Sequence, residues 1–135
     1  MKASGYEATA RRKSINVFKV GRLWVLKQYF GDREIFKALV DCYNKRKYRF
    51  EFKTGDELER ASALLHGFGF EVLLVEDLEG YLVKLGRYCK YAPVLKNSVD
   101  SLVIQDERIF LMKDLAAVED ALTFGAEAYS GRSPF

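Results

Sequence analysis

The chain reads as an α+β protein, a mostly antiparallel sheet carrying three helices in the order ββα-βαββ-ββα. Three observations predict this. Short runs of β-branched and aromatic residues lie between turn-forming Gly and Asp residues. Three other stretches repeat their apolar residues at helical spacing, each behind a capping side chain. The connections between successive strands are short, which suits hairpins and makes neighbours antiparallel.

Residues 1–13 end in Arg11-Arg12-Lys13 and read as a basic flexible tail. A single domain is expected over 14–130, with 131–135 frayed. Residues 14–30 are rich in Val, Ile, Phe, Trp and Tyr. Gly21-Arg22, between Val20 and Leu23, suits a two-residue hairpin whose first position needs positive φ. Gly31-Asp32 closes that pair and offers an N-cap. Ile35, Phe36, Leu39, Val40 and Tyr43 then fall at helical spacing, and Asn44 offers a stop.

Residues 47–53 alternate. Tyr48, Phe50 and Phe52 face one side, and Lys47, Arg49, Glu51 and Lys53 the other, as in a half-buried strand. Thr54-Gly55-Asp56-Glu57 is a capping box. Leu58, Ala61, Leu64 and Leu65 supply the apolar stripe behind it, and Gly67 the stop. Residues 70–76 read as a strand, Asp77-Leu78-Glu79-Gly80 as a turn, and 81–88 as the returning strand. The β–α–β piece over 47–75 has room for one parallel pair with a right-handed crossover. Residues 89–100, with Ala92-Pro93, are irregular or a short helix. Residues 102–105 and 109–112 form a hairpin around Asp106-Glu107. Asp114 caps a last helix with Leu115, Val118, Leu122 and Ala126 on one face and Gly131 at its end.

Composition narrows the function. The 135 residues are 49% hydrophobic and 14% aromatic, enough to build one core. No run approaches the ~18 apolar residues of a membrane span. The N-terminus lacks the apolar segment of a secretory leader, so a cytoplasmic protein is expected. Two cysteines, Cys42 and Cys89, and the single His66 cannot complete a Cys₄ or Cys₂His₂ zinc site without carboxylates. Asn and Gln are scarce, a composition typical of thermophilic proteins.

Charge is unevenly placed. Residues 1–53 carry +9 and residues 54–135 carry −6. Such a split points to a polyanion or to self-complementary assembly. A second basic window, residues 80–99, holds Lys84, Arg87, Lys90 and Lys96 with no acid, interleaved with Tyr81, Tyr88 and Tyr91. Cations neutralise phosphates and rings stack on bases, so this is the composition a single strand needs.

Other candidates have structural explanations. His66 stands in a helix's last turn, where the dipole favours it. Gly67-Phe68-Gly69 follows a helix, whereas a phosphate loop precedes one. The carboxylate pairs Glu57/Glu59, Glu76/Asp77 and Asp106/Glu107 fall at a helix start or in turns. Cys42 lies in an apolar stripe. Cys89 has cationic neighbours but no histidine nearby.

The expectation is a small non-enzymatic nucleic-acid-binding protein that prefers single-stranded DNA or RNA. Arg46, Lys47, Arg49, Arg87, Lys90 and Lys96 contact phosphates. Tyr88 and Tyr91 stack on bases, with Trp24 and Lys27 joining from the second strand. The alternative is a protein-interaction or self-assembly module, whose basic N-terminal part meets the acidic C-terminal part of a partner in a homodimer. The third reading is a metal-dependent nuclease built on scattered acids. No motif calls for a cofactor.

Overall fold

The computed structural model describes residues 12–135, and in it the chain builds two mostly antiparallel sheets with helices. The elements run β1 (Lys13–Val20), β2 (Leu23–Leu26), α1 (Arg33–Leu39), a 3₁₀ turn (Val40–Cys42), β3 (Tyr43–Asn44), β4 (Arg49–Phe52) and α2 (Gly55–Gly67). They continue as β5 (Phe70–Val75), β6 (Leu82–Gly86), α3 (Ala92–Leu95), β7 (Ser98–Ile104), β8 (Glu107–Met112), α4 (Leu115–Phe124) and β9 (Glu127–Ala128). The first sheet has the order β3-β4-β2-β1-β5 and the second β7-β8-β6-β9.

Alternation along the strands creates the layers. Ile15 and Val17 on β1, Leu26 on β2, and Phe50 and Phe52 on β4 bury against Ile35 and Leu39 of α1 and Leu58, Ala61 and Leu65 of α2. The opposite face of the same strands presents Phe18 and Val25 to Leu82, Val99 and Leu111 of the second sheet. That sheet's outer face, with Val83, Leu85, Phe110 and Met112, is covered by Val94 of α3 and Ala117 and Ala121 of α4. The layers therefore stack as helices, sheet, sheet, helices, around three apolar cores.

The helix starts follow from their caps. The Asp32 carboxylate accepts the Glu34 N–H at 2.8 Å. Thr54 Oγ1 accepts the Glu57 N–H at 3.1 Å, while Glu57 accepts the Lys53 N–H at 2.7 Å. Asp114 accepts the Ala117 N–H at 2.7 Å. Each bond satisfies a backbone donor the helix itself cannot.

Several elements differ from the sequence expectation. The first helix stops at Leu39 and tightens into the 3₁₀ turn, because Tyr43 and Asn44 pair instead with Phe50 and Arg49. The parallel pair is β1 with β5. Both sides of β4 are already taken by β3 and β2, so α2 carries the chain to the open edge of β1. The α2 helix runs through Gly67, and the left-handed position is Gly69 (φ +93°). Asp77-Leu78-Glu79-Gly80 does not close a hairpin. It passes the chain from one sheet to the other, with Leu78 buried between them.

Helix α4 ends at Gly125 (φ 126°), well before Gly131. It buries Ala117 and Ala121 and leaves Leu115 and Leu122 exposed. Small side chains let the helix lie close on Phe110 and Met112, which outweighs the larger apolar area of the leucines. The last residues, expected to fray, place Phe135 against the inter-sheet core. Most of the basic tail lies outside the described residues. Lys13 already belongs to β1, and Arg12 Nη1 donates to the His66 carbonyl at 2.6 Å. Among the described residues no helix is long and apolar enough to cross a membrane.

Candidate nucleic-acid interface

The hairpin between β3 and β4 sets one wall of the candidate site. Asn44 Oδ1 accepts the backbone N–H groups of Arg46 (2.9 Å) and Lys47 (3.2 Å), an Asx-type turn. The four-residue loop displays Lys45, Arg46 and Lys47 and ends at Tyr48, whose φ is 55°. Strand alternation begins only at Arg49, so Tyr48 points out of the core and is 67% exposed.

The segment between β2 and α1 forms the opposite wall. Tyr29 is 87% exposed, while its neighbour Phe30 turns inward against Phe50 and Phe70, with ring centroids 5.9 and 5.4 Å away. Phe36 of α1 meets Tyr43 and Phe50 edge-on at 5.2 and 5.9 Å. Between the walls lies a cleft of about 680 Å³ whose floor is aromatic. Its rim carries Tyr29, Tyr48, Lys27, Arg33 and Lys37. Lys37 pairs with Glu34 only at 3.8 Å and in full solvent, which leaves most of its charge available.

A smaller cleft of about 230 Å³ opens where the two sheets meet. It shares Lys27 and Tyr48 with the first and adds Arg46, Lys47, Asp100 and Ser101. Lys27 follows the last residue of β2 and is half-buried. Burial lowers its pKa, and the positive charges of Lys113 and Arg49 lower it further. The folded state therefore holds this proton less tightly than the unfolded chain, and stability rises with pH between the lowered value and the ordinary 10.5. Lys27→Met is expected to raise the unfolding free energy at pH 7. That gain should shrink as pH climbs through the same window, which urea titrations at pH 7, 9 and 10.5 would measure.

The predicted site residues separate into groups. Lys27, Arg46 and Lys47 come together at the seam. Arg49 stands beside them but is only 3% exposed. Its Nε donates to Glu51 at 2.8 Å, and its Nη1 donates to the Val99 carbonyl at 2.9 Å and lies 3.2 Å from Asp100 Oδ2. With its guanidinium engaged inside the protein, Arg49 ties one sheet to the other and presents no free face to a phosphate. Trp24 also turns inward, packing on the helix-covered core with the Lys19 ammonium 5.2 Å from its ring centre.

Tyr88, Lys90 and Tyr91 line a different cleft, with Cys89, Pro93 and Phe124. Leu95 lines both this cleft and the seam, so the two adjoin. Tyr88 is 88% exposed, with the Arg87 guanidinium 5.6 Å from its ring. Tyr91 is half-buried, and Arg108 lies 4.2 Å from its ring centre, so one face is already occupied. Lys96 lines a further hollow beside Asp120. Lys84 is held by Glu107 at 3.1 Å and Glu127 at 4.0 Å. Donating a hydrogen bond to the Glu107 carboxylate raises the Lys84 pKa.

Burial, with Glu57 and Asp41, pushes the Cys42 thiol up, which opposes a thiolate nucleophile. Among the described residues no three His, Cys, Asp or Glu side chains cluster in a way that would hold a metal.

Tyr29, Arg33, Phe36, Lys37 and Tyr48 line the candidate cleft, and the sequence expectation did not include them. Two signals mark Tyr29, Arg33 and Lys37. Adjacent Tyr29 and Phe30 cannot both face inward from an extended segment, so one must be exposed. Arg33 and Lys37 are four apart, which puts both on one side of a helix. No family model matches the chain, and no curated protein or solved structure is detectably similar to it.

Proposed function

We propose that the protein binds single-stranded nucleic acid in the aromatic and cationic cleft between α1 and the β3–β4 hairpin. The observation that carries this reading is the pairing of two solvent-facing rings, Tyr29 and Tyr48, with three cations on one rim, Lys27, Arg33 and Lys37. A ring left in water on a rigid scaffold is a surface on which any base can stack, and such a stack contributes about 1–3 kcal/mol. The cations supply the phosphate attraction that makes binding salt-dependent. A volume near 680 Å³ is of the size that small-ligand and nucleotide sites occupy. The adjoining seam and the Tyr88 cleft extend the same basic and aromatic surface beyond Lys47.

Fluorescence anisotropy with a labelled oligothymidine and a matched duplex tests the reading. The single strand should bind more tightly than the duplex. Its log affinity should fall linearly with log salt, at about −0.7 per phosphate contacted. Tyr29→Ala and Tyr48→Ala should each weaken it by about 5- to 150-fold without altering the salt slope. Absence of binding at low salt, or binding indifferent to both tyrosines, would refute the assignment.

A further inference from the structure

We propose that Lys27, with Arg46 and Lys47, seats a single phosphate group at the junction of the two clefts, so that the unit recognised is a nucleoside monophosphate whose base lies against Tyr29 or Tyr48. The proposal rests on the single-strand reading and gives it a defined phosphate position. Lys27 is the cation that lines both clefts, and Tyr48 is the ring that does so. Base and phosphate of one nucleotide therefore have adjacent seats.

The charge balance of the seam favours an anion there. The carboxylate that lines it, Asp100, and the neighbouring Glu51 are already engaged. Glu51 accepts from Arg49 and Asn44, and Asp100 is paired with Arg49 and Lys47. Among the described residues Lys27 makes no ion pair, and the charges that act most strongly on it are the cations Lys113 and Arg49. A half-buried ammonium without a counter-ion is unfavourable, so a ligand anion placed beside it recovers more free energy than at an exposed lysine. Ser101 lines the same cleft and adds a hydroxyl donor of the kind phosphate oxygens accept.

Isothermal titration of the full chain with adenosine 5′-monophosphate, adenosine and inorganic phosphate tests the seat. Labelled oligothymidine is measured in parallel. The monophosphate should bind at least about ten-fold more tightly than adenosine or phosphate alone. Lys27→Met should erase that advantage while leaving adenosine binding unchanged, and Lys27→Arg should restore most of it. Retained adenosine binding separates loss of the seat from loss of the fold. If the oligonucleotide binds but monophosphate and adenosine are equal, the seat is overturned and the strand reading stands. If the monophosphate binds through Lys27 but the oligonucleotide does not, the seat stands and the strand reading fails. Phosphate binding as tightly as the monophosphate would overturn the combined base-and-phosphate unit.

Discussion

Arg49→Ala is expected to lower the unfolding free energy by about 3–5 kcal/mol. The guanidinium is buried, and three protein groups on two sheets depend on it: the Glu51 carboxylate on its own strand, and the Val99 carbonyl and Asp100 carboxylate on β7. Truncation leaves two carboxylates without their main counter-charge in a poorly solvated seam. Both retain some exposure, 15% for Glu51 and 14% for Asp100, so water relieves part of the penalty. Arg49→Lys keeps the charge but loses the planar fork that reaches several acceptors at once, and should fall between alanine and wild type.

The variant Arg49→Met with Glu51→Leu and Asp100→Asn removes the uncompensated charges and should recover much of the loss. Urea unfolding followed by the fluorescence of Trp24, the single tryptophan, measures all of these. A loss below about 1 kcal/mol for Arg49→Ala would mean that the seam is fluid enough to hydrate its acids.

Arg49 also marks the boundary of what sequence patterns reveal here. Alternation in residues 47–53 correctly separates Phe50 and Phe52 from Arg49 and Glu51. It says nothing about what the polar face meets, and that face meets a second sheet. A period-2 pattern reports the two sides of a strand, whereas the neighbour on each side is a long-range property. The caps behave differently. Asp32, Thr54 and Asp114 need only a partner two or three residues away, and all three are legible in the sequence.

The turn at 77–80 illustrates the same limit. Asp77 and Gly80 specify a change of direction, but a change of sheet uses the same residues. Only Leu78, an apolar residue within an otherwise polar turn, hints at the burial between the sheets. In the candidate site, charge clustering leads to Lys27, Arg46 and Lys47. The preference for Tyr88 and Tyr91 as stacking rings follows from their position among lysines, and composition cannot register that Arg108 covers Tyr91. Alternation over residues 47–53 groups Tyr48 with Phe50 and Phe52, but Tyr48 lies in the turn before the strand begins.

Phe18→Ala should cost about 3–5 kcal/mol and should also separate the unfolding of the two sheets. Phe18 is fully buried among Val25, Leu82, Val99 and Leu111, and its ring meets Tyr81 edge-on at 5.1 Å. This central cluster joins two layers that each have a helix-covered core of their own. Each sheet therefore keeps apolar burial when the middle is weakened, while the coupling between them does not. In the wild type, Trp24 fluorescence and far-UV circular dichroism should give coincident urea transitions, since one probe reads the first sheet and the other the whole chain. In Phe18→Ala the two midpoints should part. Phe18→Leu keeps most of the volume and should cost less than about 1.5 kcal/mol with the transitions still together. Coincident curves in Phe18→Ala would assign the coupling to the polar seam instead, where Arg49 and the Asn16 amide, which donates to the Lys113 carbonyl at 3.2 Å, cross between the sheets.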